Sequence, residues 1–185
     1  MVATLAARAS TPERGYIGPM RDAATVCAYL AGYAAPSLSD LTDAHLALVP
    51  APNAKSAGWL LGHLCVTGDY IRRKCGRPPL TPKDWGPKFA PGSTPSADAA
   101  DYPRMTELRT AFDAIYRDLP IIAPTLTKEV LEAANSLEFT RGRFPTFGAF
   151  ACYIMTGHLG YHLGQLSGWR SAAGLPLRPG AAGAI

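Results

Sequence analysis

The most informative pattern in this chain is FGAFACYIMTGHLGYHLGQLSGW, which runs from Phe147 to Trp169 without a proline. An α-helix turns by about 100° per residue, so residues four apart lie on one face. Seven residues then form one stripe: Phe147, Ala151, Ile154, His158, His162, Gln165 and Trp169. The stripe is apolar at both ends and polar in its middle. This pattern predicts one long helix whose stripe faces the interior of the protein.

Two histidines of this stripe, His158 and His162, need partners if they are buried, because burying unpartnered polar groups is unfavourable. A divalent metal ion is the simplest partner that satisfies both. A metal bound to two histidines needs at least one more protein ligand. His63, at the edge of the apolar face of a helix predicted over 53–74, is the candidate. The alternative is that all three histidines are ordinary core or surface groups.

A site of three imidazoles suits zinc, nickel, iron or copper, and the sequence does not choose among them. Three protein ligands leave one coordination position open for water or substrate. Gln165 lies two helical turns beyond His158, so we expect it to hydrogen-bond and orient a ligand histidine. We expect four aromatic residues to form the pocket wall: Trp59, Tyr70, Trp85 and Tyr161.

Common hydrolytic motifs are missing from the sequence. The HExxH motif of metalloproteases places a glutamate next to its first histidine, and here that position is Leu159. No GxSxG motif occurs, and no cysteine shares a predicted face with a histidine. We therefore assign no catalytic general acid or base.

Composition excludes several classes of function. The 185 residues are 48% hydrophobic, which suits one domain with a substantial core. The net charge of +4 comes from 18 basic and 14 acidic residues without a basic block, so we expect no nucleic-acid partner. We find no apolar run of membrane-spanning length and no secretory signal. Four cysteines without CxxC spacing predict free thiols in the cytoplasm: Cys27, Cys65, Cys75 and Cys152.

Hydrophobic periodicity predicts an all-α protein with four main helices, at 19–35, 53–74, 103–122 and from 147 to about 173. We expect Pro36 to end the first, and a short helix to start after Thr127. Residues 135–145 read as a brief extended excursion. Residues 76–102 are rich in proline, and three apolar residues should anchor them: Leu80, Trp85 and Phe89. A connection of this length can cross a bundle, so that the second and third helices run parallel.

Residues 19–176 therefore form one bundle domain, and we expect residues 1–18 and 177–185 to be a flexible arm and tail. The last long helix also carries glycines every four residues, at Gly160, Gly164 and Gly168. Each glycine costs up to about 1 kcal/mol relative to alanine within a helix. Close approach of another helix would offset this cost. That helix is either a neighbour in the bundle, which we favour, or the same helix of a second subunit.

Two sequence segments resemble the DinB-like superfamily of damage-inducible, metal-binding four-helix bundles. The first is PAP at 50–52 leading into SAGWLLGHL at 56–64, and the second is HLGYHLGQL at 158–166 followed by GLP at 174–176. The proline-rich stretch through Trp85 resembles the family's linker. The resemblance covers about 20–176. It implies an up-down-down-up bundle, a tendency to form a homodimer, and a metal held by the residues matching His63, His158 and His162.

Members of this family include bacillithiol transferases and mycothiol-dependent maleylpyruvate isomerases, which use the metal to activate a low-molecular-weight thiol. The resemblance therefore implies a metal-dependent enzyme of thiol S-transferase or hydrolase type, acting on a small-molecule substrate. The alternative is a non-catalytic stress-response protein that binds a metal or a small molecule. The lack of a positioned general base keeps this alternative open.

Overall fold

Helices make up most of residues 18–177, the part of the chain that the computed structural model describes. They are α1 Gly18–Ser39, α2 Ala57–Lys74, α3 Trp85–Phe89, α4 Met105–Ile122, α5 Lys128–Glu132, α6 Glu138–Arg141, α7 Phe147–Tyr153 and α8 Leu159–Ala172. A π-helical segment, Ile154–His158, joins α7 to α8. No β-strand forms within this range, although Ala134 and Thr146 make one isolated bridge. The expected arm and tail lie, apart from Gly18 and Leu177, outside the described residues.

The long helices α1, α2, α4 and α8 pack together as a bundle. The helix predicted over 103–122 is confirmed as α4, and its apolar residues at helical spacing are all buried: Met105, Leu108, Phe112, Ile115 and Leu119. Burying a side chain of this size contributes about 1.5–3 kcal/mol. None of the helices described combines the length and the apolar character needed to cross a membrane.

Two helix boundaries differ from the prediction. The first helix does not end at Pro36 but continues to Ser39. Pro36 lies in the last turn, where the missing N–H removes one hydrogen bond and little of the helix remains to disrupt. The second helix begins at Ala57, because the Ser56 side chain caps it by accepting a hydrogen bond from the Trp59 backbone N–H at 3.2 Å.

The predicted final helix is confirmed from Phe147 to Ala172, and a π segment within it divides it into α7 and α8. Thr146 caps α7 by accepting a hydrogen bond from the backbone N–H of Ala149 at 3.2 Å. The π segment inserts an additional residue into the turn between α7 and α8. Residues spaced by four therefore do not stay on one helical face across the π segment. His158 ends the segment, and both His158 and His162 are buried.

The glycines of α8 do not pack as expected. A Cβ added to Gly160 would lie 3.7 Å from Leu30, which is ordinary contact, and one added to Gly164 or Gly168 would meet nothing within 4 Å in the described part of the chain. The favoured packing within the bundle was therefore wrong for Gly164 and Gly168.

The glycines with the closest approach of another segment lie on α2. A Cβ on Gly62 would lie 2.6 Å from the ring of Phe89, and one on Gly68 would lie 2.7 Å from Ile115. Residues 75–104 connect α2 to α4 and contain α3. Trp85 and Phe89 are buried as predicted, whereas Leu80 is exposed and does not act as an apolar anchor. Gly62 thus allows α3 to lie directly against α2.

Residues 134–146 form a pinned loop, which we call the Asn135 loop. Its ends are joined by the hydrogen bond from the Asn135 N–H to the Pro145 carbonyl at 3.0 Å. The buried Asn135 side chain donates to the Thr140 hydroxyl at 2.7 Å and to the Phe144 carbonyl at 3.0 Å. The loop is therefore not the extended excursion that we predicted, since its middle forms α6 around a buried amide.

Candidate metal centre

Three histidines from separate parts of the chain meet in the interior of the bundle. His63 comes from α2, His158 from the π segment and His162 from the first turn of α8. All three are buried, and one ring nitrogen of each lies within 4.8 Å of the others. The Nε2 atoms of His63 and His158 are 3.1 Å apart. We call these three residues the histidine cluster.

Hydrogen bonds determine the tautomers of two rings in the histidine cluster. His63 Nδ1 donates to the backbone carbonyl of Phe89 at 2.7 Å, because a carbonyl oxygen can only accept. His162 Nδ1 donates to Gln165 Oε1 at 2.7 Å, and the Gln165 amide NH₂ donates to the Tyr161 hydroxyl at 3.2 Å. The Nε2 atoms of His63 and His162 therefore carry lone pairs, as metal ligands require.

The third ring is incompletely partnered. His158 Nδ1 is the only buried side-chain nitrogen or oxygen without a hydrogen-bond partner among residues 18–177. Its Nε2 faces His63 Nε2, which has a lone pair and can only accept. Whichever tautomer His158 adopts, at least one of its two ring nitrogens lacks a hydrogen-bond partner in the protein. Buried polar groups without a partner are rare, so this atom indicates that the cluster interacts with a species from outside the chain.

Burial keeps the cluster uncharged. It lowers the pKa of His63 to about 4, even though the Phe89 carbonyl acts in the opposite direction. Burial and the neighbouring histidines lower the pKa of His158 to about 3, and burial also lowers the pKa of His162. The rings are therefore neutral near physiological pH, which is the form that binds metals. Three neutral nitrogen donors without a carboxylate fit a borderline divalent ion such as zinc, nickel or iron.

A comparison with protein families gives a match over most of the chain. The family model described as the DinB superfamily matches residues 33–166, which include all three histidines. This chain belongs to the DinB superfamily. Neither the curated proteins nor the solved structures contain a significant match to it.

In this DinB superfamily protein a cleft of about 410 Å³ opens beside His63 and His158. Helices α2 and α7, the π segment and the Asn135 loop line it. Its walls are mostly apolar, and they include the aromatic residues Tyr70, Phe139, Phe144, Phe150 and Tyr153. Arg73 and Arg143 also line the cleft. A concave, mostly apolar space with a few polar groups is typical of a small-molecule site.

The four expected wall residues occupy different positions. Tyr70 lines the cleft, and its hydroxyl lies 2.8 Å from the Ser136 hydroxyl. Trp59 stacks on the His63 ring with 4.8 Å between centroids, and Tyr161 meets His162 edge-on while remaining exposed. Trp85 packs against Phe89. Trp59, Trp85 and Tyr161 thus support the histidine cluster or the α3 segment and do not line this cleft.

Sequence reasoning missed several parts of the site. The Phe89 carbonyl is a backbone acceptor, and side-chain periodicity carries no information about it. The two arginines were also missed, because Arg73 and Arg143 lie on separate segments that only the fold brings together. The fourth histidine, His45, accepts a hydrogen bond from the Thr42 N–H at 2.9 Å and lies outside the histidine cluster.

Proposed function

We propose that this protein binds a divalent metal ion through His63, His158 and His162 and acts as a metal-dependent enzyme of thiol S-transferase or hydrolase type. One observation carries the proposal: three neutral imidazoles converge in the interior beside an open cleft. The donor set suits zinc, nickel or iron. The cleft volume suits a small-molecule substrate, for which we propose a low-molecular-weight thiol as one reactant.

The surrounding residues hold the rings in the orientation that binding requires. Phe89 fixes His63 through Nδ1, and Trp59 covers one face of that ring. Gln165 fixes His162 in the same way and is itself held by Tyr161. When bound, a divalent ion supplies Lewis-acid chemistry, which favours the thiolate form of a thiol and the ionised form of water.

Thiol transfer is the leading form of this activity. No aspartate or glutamate lines the cleft among the residues described, so the chain offers no carboxylate general base there. A thiol that is already held as thiolate needs no separate base before it attacks an acceptor. The same observation favours the second candidate, a non-catalytic stress-response protein that binds a metal or a small molecule.

The chain path proposed for this function is an up-down-down-up bundle in which residues 75–104 form a long proline-rich crossover. Two contacts between this segment and α2 support it. Leu80 and Thr81 donate backbone hydrogen bonds to Asp69, and Phe89 covers Gly62. The crossover would thereby hold the Phe89 carbonyl next to His63.

A cytoplasmic location and a homodimer complete the proposal. All four cysteines are free, and burial raises the pKa of Cys27 to about 12. Free thiols suit a reducing compartment. A groove between α1 and α8 is lined by Gly160, Gly164, the half-exposed Tyr33 and the exposed Leu177, and a second copy would cover this apolar surface. Sedimentation velocity would test it, with a purely monomeric species contradicting the homodimer.

Metal analysis of His162→Ala tests the site. We expect the parent protein to retain about one equivalent of metal after purification and the variant to lose most of it, because one of three ligands is removed. His45→Ala is the matched control, since His45 lies outside the cluster and should leave the metal content unchanged. Equal metal content in parent and His162→Ala would contradict the site.

Turnover separates the two candidate functions. Metal-loaded parent protein would be assayed with several low-molecular-weight thiols and a chloro-aromatic or epoxide acceptor. Transfer that disappears in His162→Ala and persists in His45→Ala supports the enzyme. Absence of turnover with every thiol and metal, together with retained metal, favours the binding protein.

A further inference from the structure

We propose that the cleft beside the histidine cluster binds a small organic acid with an apolar body, and that Arg143 and Arg73 hold its acid group. The inference rests on the proposed function, because the acid is placed as the reaction partner next to the metal site. It adds a class of ligand and two residues that determine specificity.

The cleft carries positive charge and no negative charge among its described lining residues. Arg73 and Arg143 line it, and none of its lining residues within 18–177 is acidic. A cationic surface in a concave, apolar site attracts anions and excludes cations. The cleft therefore selects for an anionic ligand.

The arginines have hydrogen-bonding capacity to spare. Arg143 makes no side-chain hydrogen bond or ion pair with any residue that the structure describes, and its side chain is exposed. Among the residues that the structure describes, the Arg73 guanidinium approaches only the carboxylate of Asp69, at 3.8 Å, which is beyond hydrogen-bond distance. Asp69 is already bound by Arg72 at 2.8 Å and by the Thr81 hydroxyl at 2.9 Å. Both guanidinium groups can thus offer paired donors to a carboxylate or phosphate.

The wall next to Arg143 accounts for the apolar body. Phe139 is 74% exposed, the highest value among the large apolar side chains of residues 18–177, and it lines the cleft together with Leu137 and Phe144. Exposed apolar surface at a concave site marks a place that a ligand covers. A ligand with a ring or alkyl chain would bury these side chains while its acid group reached an arginine.

The Asn135 loop presents these groups on a fixed backbone. Asn135 Oδ1 accepts a hydrogen bond from the Leu137 N–H at 3.1 Å, and its amide group holds Thr140 and Phe144. Both Phe139 and Arg143 therefore project from a backbone tied to a single buried side chain. A preformed site of this kind loses less conformational entropy when it binds a ligand.

Calorimetry with three probes that share a phenyl group tests the inference: 3-phenylpropionate, its neutral amide, and 2-phenylethylphosphonate. The proteins are the parent, Arg143→Gln, and Arg117→Gln as a control with the same charge change on an exposed arginine of α4. We expect the parent to bind at least one acid about tenfold more tightly than the amide, since hydrogen bonds to charged groups are the stronger ones. Arg143→Gln should remove this preference and leave amide binding unchanged. The tighter acid identifies the head group as carboxylate or phosphate-like.

Three results would overturn the inference: equal affinity of the parent for acid and amide, a preference that survives Arg143→Gln, or an equal loss in Arg117→Gln. Each titration is run on metal-loaded and on chelator-treated protein whose metal content is measured. An acid preference that needs the metal and ignores Arg143 overturns this inference and leaves the proposed metal site intact. A preference that needs Arg143 in a protein that never binds metal supports this inference while the proposed function fails.

Discussion

Helix α2 contributes to two polar clusters, and they differ in whether all of their polar groups have partners within the protein. The closed ion cluster consists of Asp69, Arg72 and Asp118, in which Arg72 bonds Asp69 at 2.8 Å and Asp118 at 2.9 Å. Asp69 accepts further hydrogen bonds from Leu80 and Thr81. The histidine cluster lies on the same helix, yet His158 Nδ1 has no partner within the described chain, and a cleft opens beside it.

The difference shows how a structural cluster can be told from a functional one. In the closed ion cluster each charged group has its partners within the protein. These interactions hold residues 78–81 against α2. The histidine cluster is neutral, and one of its ring nitrogens lacks a hydrogen-bond partner. It can therefore gain interactions from a ligand. Removing a residue of the closed ion cluster should lower the free energy of unfolding. Removing a residue of the histidine cluster should weaken metal binding.

The largest effect is expected in the closed ion cluster. Asp69→Ala should lower the free energy of unfolding by about 3–5 kcal/mol, because it removes the buried one of the two carboxylates that bind Arg72 and leaves the Leu80 and Thr81 N–H groups without their acceptor. Urea denaturation of chelator-treated protein measures this change. Asp22→Ala, on an exposed position of α1, is the control and should change stability by less than about 0.5 kcal/mol. A similar small loss for Asp69→Ala would mean that the ion cluster is dispensable.

The histidine cluster should respond to metal instead. Zinc at about a hundredfold excess over its Kd should raise the free energy of unfolding of the parent by about 2.7 kcal/mol, because the ion binds only the folded state. His158→Ala should abolish this increment, and His45→Ala should retain it. Equal stabilisation of His158→Ala by zinc would show that the ion binds elsewhere.

The smallest effects on stability should come from substitutions of glycine. These effects should have opposite signs on α2 and on α8. Gly62→Ala should destabilise by about 1–3 kcal/mol, because the new Cβ would overlap the buried Phe89 ring. A Cβ at Gly164 would meet nothing within 4 Å in the described part of a single chain, so Gly164→Ala should stabilise the monomer by up to about 1 kcal/mol through helix propensity. Thermal melting of both variants measures the contrast. Stabilisation by Gly62→Ala would refute the close approach of α3 to α2.

Regular features of the fold and site were predictable from the sequence. Helical periodicity located α4 and its buried stripe, and the four-residue spacing of His158 and His162 brought them to one face. Gln165 was expected to bond a histidine of the pair, and it bonds His162. These predictions succeed because they depend on local geometry that repeats along a helix.

Other features depend on contacts between distant segments. The π segment at Ile154–His158 has no composition that distinguishes it from a regular turn. The glycine series on α8 is more regular than that on α2, yet Gly62 and Gly68 on α2 are positions against which other segments pack. Spacing shows that a smooth surface exists, and only the tertiary fold determines whether anything covers it.

The hydrogen bond from His63 to the Phe89 carbonyl has a consequence for mutagenesis. Every amino acid at position 89 supplies a carbonyl, so exchanging the side chain cannot delete this acceptor directly. An alanine substitution at position 89 would report only the loss of the phenyl ring. It would not reveal the role of the backbone carbonyl oxygen, which orients the His63 imidazole. The acceptor can be withdrawn only by rerouting the backbone, so shortening or lengthening the connection before α4 is the perturbation that addresses it.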